Sequence, residues 1–150
     1  MTKNIVFYAP VPAAILESAS QVPQLSNRVA FGSNKAGLQT MPIGIAVYIH
    51  ASQPPHQLYK ANVVTWSGTL GAIVPAVRTG RRSGKHVDSS VRPPFAELED
   101  TAVLDFWEVL GLHPLERPIQ FGRFENIEGG LAFGGRAPEW PVLAILKPSD

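Results

Sequence analysis

The stretch Ile43–Ala51 (IGIAVYIHA) decides the fold class. It carries Ile, Val and Tyr with too little polarity for a surface helix, so it predicts a central β-strand. Upstream, Asn4–Tyr8 (NIVFY) is rich in β-formers and runs into Pro10, which predicts a first strand. Ile15–Ala19 fits a helical turn or two. Arg28–Phe31 reads as a short strand closed by the turn formers Gly32, Ser33, Asn34 and Lys35. Downstream, Gln57–Thr65 (QLYKANVVT) alternates as a half-buried strand does and is expected to end at Trp66-Ser67-Gly68. Leu70–Val77 predicts a further strand, and the apolar run Trp140–Leu146 a last one that closes the sheet.

One helix is expected. Glu99, Asp100 and Thr101 supply acids and a capping residue that suit the positive end of a helix. Val103, Phe106, Trp107 and Leu110 then recur at helical spacing, Gly111 offers a stop and Pro114 follows. Phe106 and Trp107 are read as core on that stripe. The sum is an α+β, mainly β domain over residues 1–150, a small β-barrel with one or two short helices.

Composition agrees with a single packed domain of 150 residues. Apolar residues make up 45% and charged residues 17%, with 13 glycines and 14 prolines, which excludes a coiled coil or a charged disordered tail. The net charge of +1 gives no global pull onto nucleic acid or an acidic membrane. With no cysteine there is no disulfide framework, thiol nucleophile or cysteine zinc cluster. No apolar run approaches the roughly 20 residues of a membrane-spanning helix, and the N-terminus lacks a signal-peptide core, so a cytoplasmic protein is expected.

Charge is segregated locally. Arg78, Arg81, Arg82, Lys85 and Arg92 face only Asp88, whereas Glu97, Glu99, Asp100, Asp105 and Glu108 follow with no base among them. Guanidinium forks on a glycine-containing loop suit phosphate. The same pattern also arises when a basic loop merely neutralises the acidic segment behind it. Trp66, just before the apolar strand that leads into the arginines, offers either a stacking face for a base or a cap on the core.

Other chemistry is poorly provided for. Gly80–His86 (GRRSGKH) lacks both the spacing and the hydroxyl of a nucleotide-binding P-loop. Gly68-Thr69-Leu70-Gly71 could clamp a nucleic-acid backbone but reads better as a hairpin turn. His86, Asp88, Ser89 and Ser90 crowd into one loop, where triads rarely form. His50 and His56 match no standard zinc spacing. No catalytic residue, cofactor or metal is expected.

The turn Gly32–Lys35, the segment Leu38, Met41–Gly44 and the strand Ile45–His50 ending in Ala51-Ser52 resemble the signature of EVE and related PUA-like (ASCH-related) domains. A returning strand like Lys60–Val64 and an element like Leu115-Glu116-Arg117-Pro118-Ile119 follow in the same order. The sequence departs from that pattern where Ile45 replaces the usual Asp after Gly44, and Phe31 and Lys35 stand where the family has tryptophan and arginine. The resemblance implies a PUA-like barrel whose concave site takes up a nucleobase, sometimes a modified one. It points to Ser33 and Asn34 in the turn and Tyr48, His50 and Ser52 on the strand.

The expected function is therefore a nucleic-acid or modified-base binding module, with RNA or DNA as partner. In it Ser33 and Asn34 read a base edge, Trp66 stacks, and Arg78, Arg81, Arg82, Lys85 and Arg92 hold phosphates. The rival is a protein-interaction module that docks a partner or a second copy through the glycine-rich segment Glu128–Arg136 (EGGLAFGGR). A hydrolase or nuclease ranks third, since only Asp88 lies near the arginines.

Overall fold

A computed structural model describes residues 4–12, 16, 19, 28–33, 38–52, 63–76, 104–127 and 141–147. Its strands are β1 (Ile5–Pro12), β2 (Arg28–Ser33), β3 (Ala46–Ser52), β4 (Val63–Pro75), β5 (Asp105–Gln120), β6 (Phe124–Asn126) and β7 (Val142–Leu146). They form one mixed seven-stranded sheet in the order β2-β5-β4-β3-β1-β7-β6. Only β1 and β3 run parallel; the other pairs are antiparallel.

The sheet is open, not the closed barrel expected from the sequence, and β2 and β6 are its edges. It is nevertheless strongly curled. One face gathers Phe7, Ala9 and Val11 of β1, Val29 and Phe31 of β2, Val47 and Ile49 of β3, and Trp107 and Val109 of β5 into a single buried cluster. Val6 and Tyr8 turn to the opposite face, where Val64, Phe124, Ala144 and Leu146 enclose them. Because both faces of β1 are covered, its sequence is apolar throughout, as a doubly buried strand requires. Pro10 and Pro12 lie past Tyr8, the last residue that β7 pairs, where a missing N–H disturbs no ladder on that side.

Two sequence expectations are corrected. The predicted helix from Asp100 is instead the start of β5 from Asp105 onward. Asp105 to Val109 are buried without a break, and neighbours face opposite ways: Trp107 joins Phe7 and Phe31, while Phe106 packs on Ala30 and Ala76. A strand buried on both faces has no period of two, so its apolar residues fell by chance on a helical stripe. Phe106 and Trp107 are core, as expected. Gly111 does have a left-handed φ of 64°, but it serves a strand that changes course and not a helix cap.

The second correction concerns Trp66-Ser67-Gly68, which does not end a strand. The two strands expected on either side of it are one, the 13-residue β4, and the Gly68–Gly71 stretch is neither a hairpin turn nor a clamp. Its register against β5 shifts three times, between Val64 and Trp66, Ser67 and Thr69, and Leu70 and Ala72, and such bulges coil the strand. Glycine is needed at 68 because a Cβ there would collide with Val109 Cγ1 and stand 2.9 Å from the Leu110 carbonyl oxygen. Of the helical turn expected at 15–19, positions 15, 17 and 18 lie outside the described residues.

Candidate nucleic-acid interface

The direction of the strands sorts the expected site residues. β1, β3 and β5 run from one end of the sheet to the other, and β2 and β4 return. Ser33 closes β2 opposite Asp105, whose other neighbour is Pro75, the last residue of β4. His50 pairs with Val64 near the start of β4, and Ser52 with Pro12 at the end of β1, so both belong to the opposite end. The structure therefore does not bring Ser33 together with His50 and Ser52.

Tyr48 and Trp66 lie between those ends on different faces. Tyr48 contacts Phe124 edge-on, with ring centroids 5.6 Å apart, beside Tyr8. Trp66 pairs with Ile49 and packs half-buried against the larger cluster, the place that the core reading gives it. His50 is buried, its Nδ1 has no hydrogen-bond partner among the described residues, and burial pushes its pKa below the usual 6.5. Burial likewise pushes the Tyr8 hydroxyl up. Asn34, Arg78, Arg81, Arg82, Lys85 and Arg92 lie outside the described residues, as do Asp88 and the segment Glu128–Arg136.

What the structure does place is the root of each such segment. The Ala76 N–H donates to the Leu104 carbonyl at 2.9 Å, and the Leu104 N–H donates to the Ser33 carbonyl at 2.8 Å. The chain leaves the sheet toward Asn34 at Ser33, leaves it toward the five basic residues after Ala76, and returns at Leu104. These three points are stitched together at one end of the sheet, so the turn and the basic segment share an origin.

A shallow groove of about 340 Å³ opens near that origin, lined by Met41, Ile43, Gly71, Ala72, Ile73 and Pro75. Its near wall is the turn before β3, where Gly44 takes a φ of 94° and its N–H donates to the Leu70 carbonyl at 2.8 Å. The Leu70 N–H in turn donates to the Ile45 carbonyl at 2.9 Å, which fixes the turn against β4. Ile43 projects from it with 54% of its surface exposed.

Sequence reasoning named none of the groove residues as a site. Both of its walls were visible as apolar runs, but only the antiparallel pairing of β3 with β4 shows that they adjoin. Among the described residues no group of His, Asp or Glu is placed to hold a metal ion, and no helix is long and apolar enough to cross a membrane. The sequence matches no family model, no curated protein and no solved structure at a significant level.

Proposed function

We propose that this chain is a nucleic-acid-binding module of PUA-like type, one that takes up a base, modified or not, beside a phosphate-holding basic segment. The observation that carries the reading is the shared origin of that segment and the Ser33 turn. Arg78, Arg81, Arg82, Lys85 and Arg92 depart from Ala76, which the Leu104 backbone ties to Ser33. Phosphate contacts set affinity and register, and a neighbouring surface is then free to meet the base. A curled, open sheet supplies such a surface without a deep pocket.

The reading is tested by fluorescence anisotropy with labelled single-stranded and double-stranded DNA and RNA, with and without modified bases, at two salt concentrations. Binding should weaken steeply as salt rises, because each neutralised phosphate releases a counterion. Arg81→Ala with Arg82→Ala should weaken binding and lower the slope of log K against log salt by about 1.4 for a single strand. No binding of any of the four at low salt overturns the reading and leaves the basic segment as a partner of the acidic one that follows it.

A further inference from the structure

We infer that the outer side of β5 over residues 112–120 is an edge that refuses strand addition by a second copy of this chain. The inference does not depend on the nucleic-acid reading. It stands on the length of that edge and on what the sequence puts along it.

β5 runs from Asp105 to Gln120, but β2 pairs with it only as far as Leu110. β4 follows its other side all the way to Gln120. Among the described residues nothing pairs with the outer side beyond Leu110, and His113, Pro114, Glu116, Arg117, Pro118 and Gln120 are exposed. A long exposed edge is a template for another strand, and a β-rich chain that keeps one has to blunt it. The edge strand at the other end of the sheet needs less, since β6 has three residues.

Three features blunt this edge. Pro114 and Pro118 have no N–H to give, and a sheet tolerates proline where no neighbouring strand asks for one. Val64 pairs with Ile119 and Trp66 with Pro114, so residues 115–118 stand against Thr65 alone and bulge from the ladder, anchored by Leu115 and Ile119 in the cluster around Tyr8. Glu116 and Arg117, exposed within that bulge, put charge on its most accessible part. Symmetry makes those charges count. A regular antiparallel pair about a two-fold axis sets residues of one parity opposite each other, so one residue always meets its own counterpart. Centred on Glu116, such a pair opposes two glutamates and sets each proline against the other. Centred on Arg117, it opposes two arginines and sets Pro118 against Glu116. Like charges directly opposite destabilise a pair, and each proline removes a ladder bond.

The test restores what the edge lacks. Pro114→Thr, Glu116→Thr and Pro118→Thr are combined in the intact chain, and mass is read by light scattering behind size exclusion over a wide range of concentration. With rising concentration the triple variant should approach twice the mass that the parent shows, and the amides of residues 112–120 should become protected from hydrogen exchange as it does so. A variant that keeps the parent's mass at every concentration overturns the inference, and so does association that leaves those amides unprotected. The parent alone gives a second reading. Its Glu116 and Arg117 amides should exchange far faster than those of Trp107 and Val109, which lie between β2 and β4 in the ladder. Slow exchange at Glu116 and Arg117 in the dilute parent overturns the inference, because the edge would then already be covered.

Discussion

The ring of Phe7 lies 5.1 Å from the indole of Trp107, although β3 and β4 run between the strands that carry them. In a flat sheet three strand spacings would separate the two residues by about 14 Å. Contact is reached because the sheet curls, and Phe31 of edge strand β2 packs on the same indole at 4.7 Å. Trp107 thus ties β1 to the β5–β2 side of the curl, Phe31 being its direct partner in the pairing of β2 with β5. Phe7→Ala should cost about 3–5 kcal/mol in urea denaturation, since all three rings are buried and the site cannot collapse around a lost one. Phe31→Ala should cost a similar amount. The double variant should cost less than the two losses added, because both rings act through one partner. Additivity within a few tenths of a kcal/mol would mean that the indole does not couple them.

Gly68 is the tightest point between β4 and β5. A methyl group there meets the Val109 side chain and the Leu110 carbonyl, one of which is backbone and cannot step aside. Gly68→Ala is therefore expected to destabilise the chain by about 1–3 kcal/mol, the usual range for overpacking, despite the lower chain entropy that alanine brings to the unfolded state. Gly122→Ala is the matched control, since nothing lies within 4 Å of a Cβ at that position. Thermal melts of the two variants side by side decide it, and equal melting temperatures would contradict the close approach.

How far the sequence reveals this fold depends on which faces a segment buries. Ile43–Ala51 and Asn4–Tyr8 were legible because a run rich in Ile, Val and Tyr bounded by proline or turn formers suits few structures besides a buried strand. Asp105–Val109 was not, because burial on both faces erases alternation, and Gly111 with Pro114 imitates a helix end. The length of β4 was hidden by the same kind of misdirection. Glycines that usually mark turns sit in its middle to let β5 approach. The groove residues were illegible for a different reason: they come together through the contact of the Met41–Gly44 turn with β4, a pairing that no local spacing records. Trp66 was visible as an aromatic next to Ser-Gly, and only its pairing with Ile49 shows it packed on the core.

Arg28 and Glu108 form an ion pair of unequal burial across β2 and β5. Arg28 Nη1 stands 3.2 Å from Glu108 Oε1, with 36% of the arginine side chain exposed but only 4% of the glutamate. Water can resolvate the first far more easily than the second. Arg28→Met, which keeps the aliphatic stem, should therefore cost about 3 kcal/mol because the buried carboxylate loses this cation, whereas Glu108→Gln should cost less. Denaturation midpoints of the two variants at pH 7 check this, and an equal loss in both would argue that the pair contributes nothing specific.

His50 gives the chain a stability that depends on pH in a definite direction. His50 stands between Pro10 of β1 and Val64 of β4 in the sheet register, its side chain is buried, and desolvation lowers its pKa from 6.5. Above pH 6.5 the ring is neutral in the folded and the unfolded chain alike, so it adds no slope. Below that, the unfolded chain binds a proton which the folded chain refuses. Stability then falls with falling pH until the depressed folded pKa is reached, where the loss levels off. Each unit of depression corresponds to about 1.4 kcal/mol. Carboxylates also titrate at the acid end, so the informative quantity is the difference between the parent chain and His50→Asn, a polar replacement without a titratable ring. Urea denaturation from pH 8 to pH 5 should show the parent losing stability relative to the variant only below about pH 6.5, the ordinary value for histidine. Parallel curves over the whole range would mean that water reaches the ring in solution and that its burial imposes no penalty on the charged form.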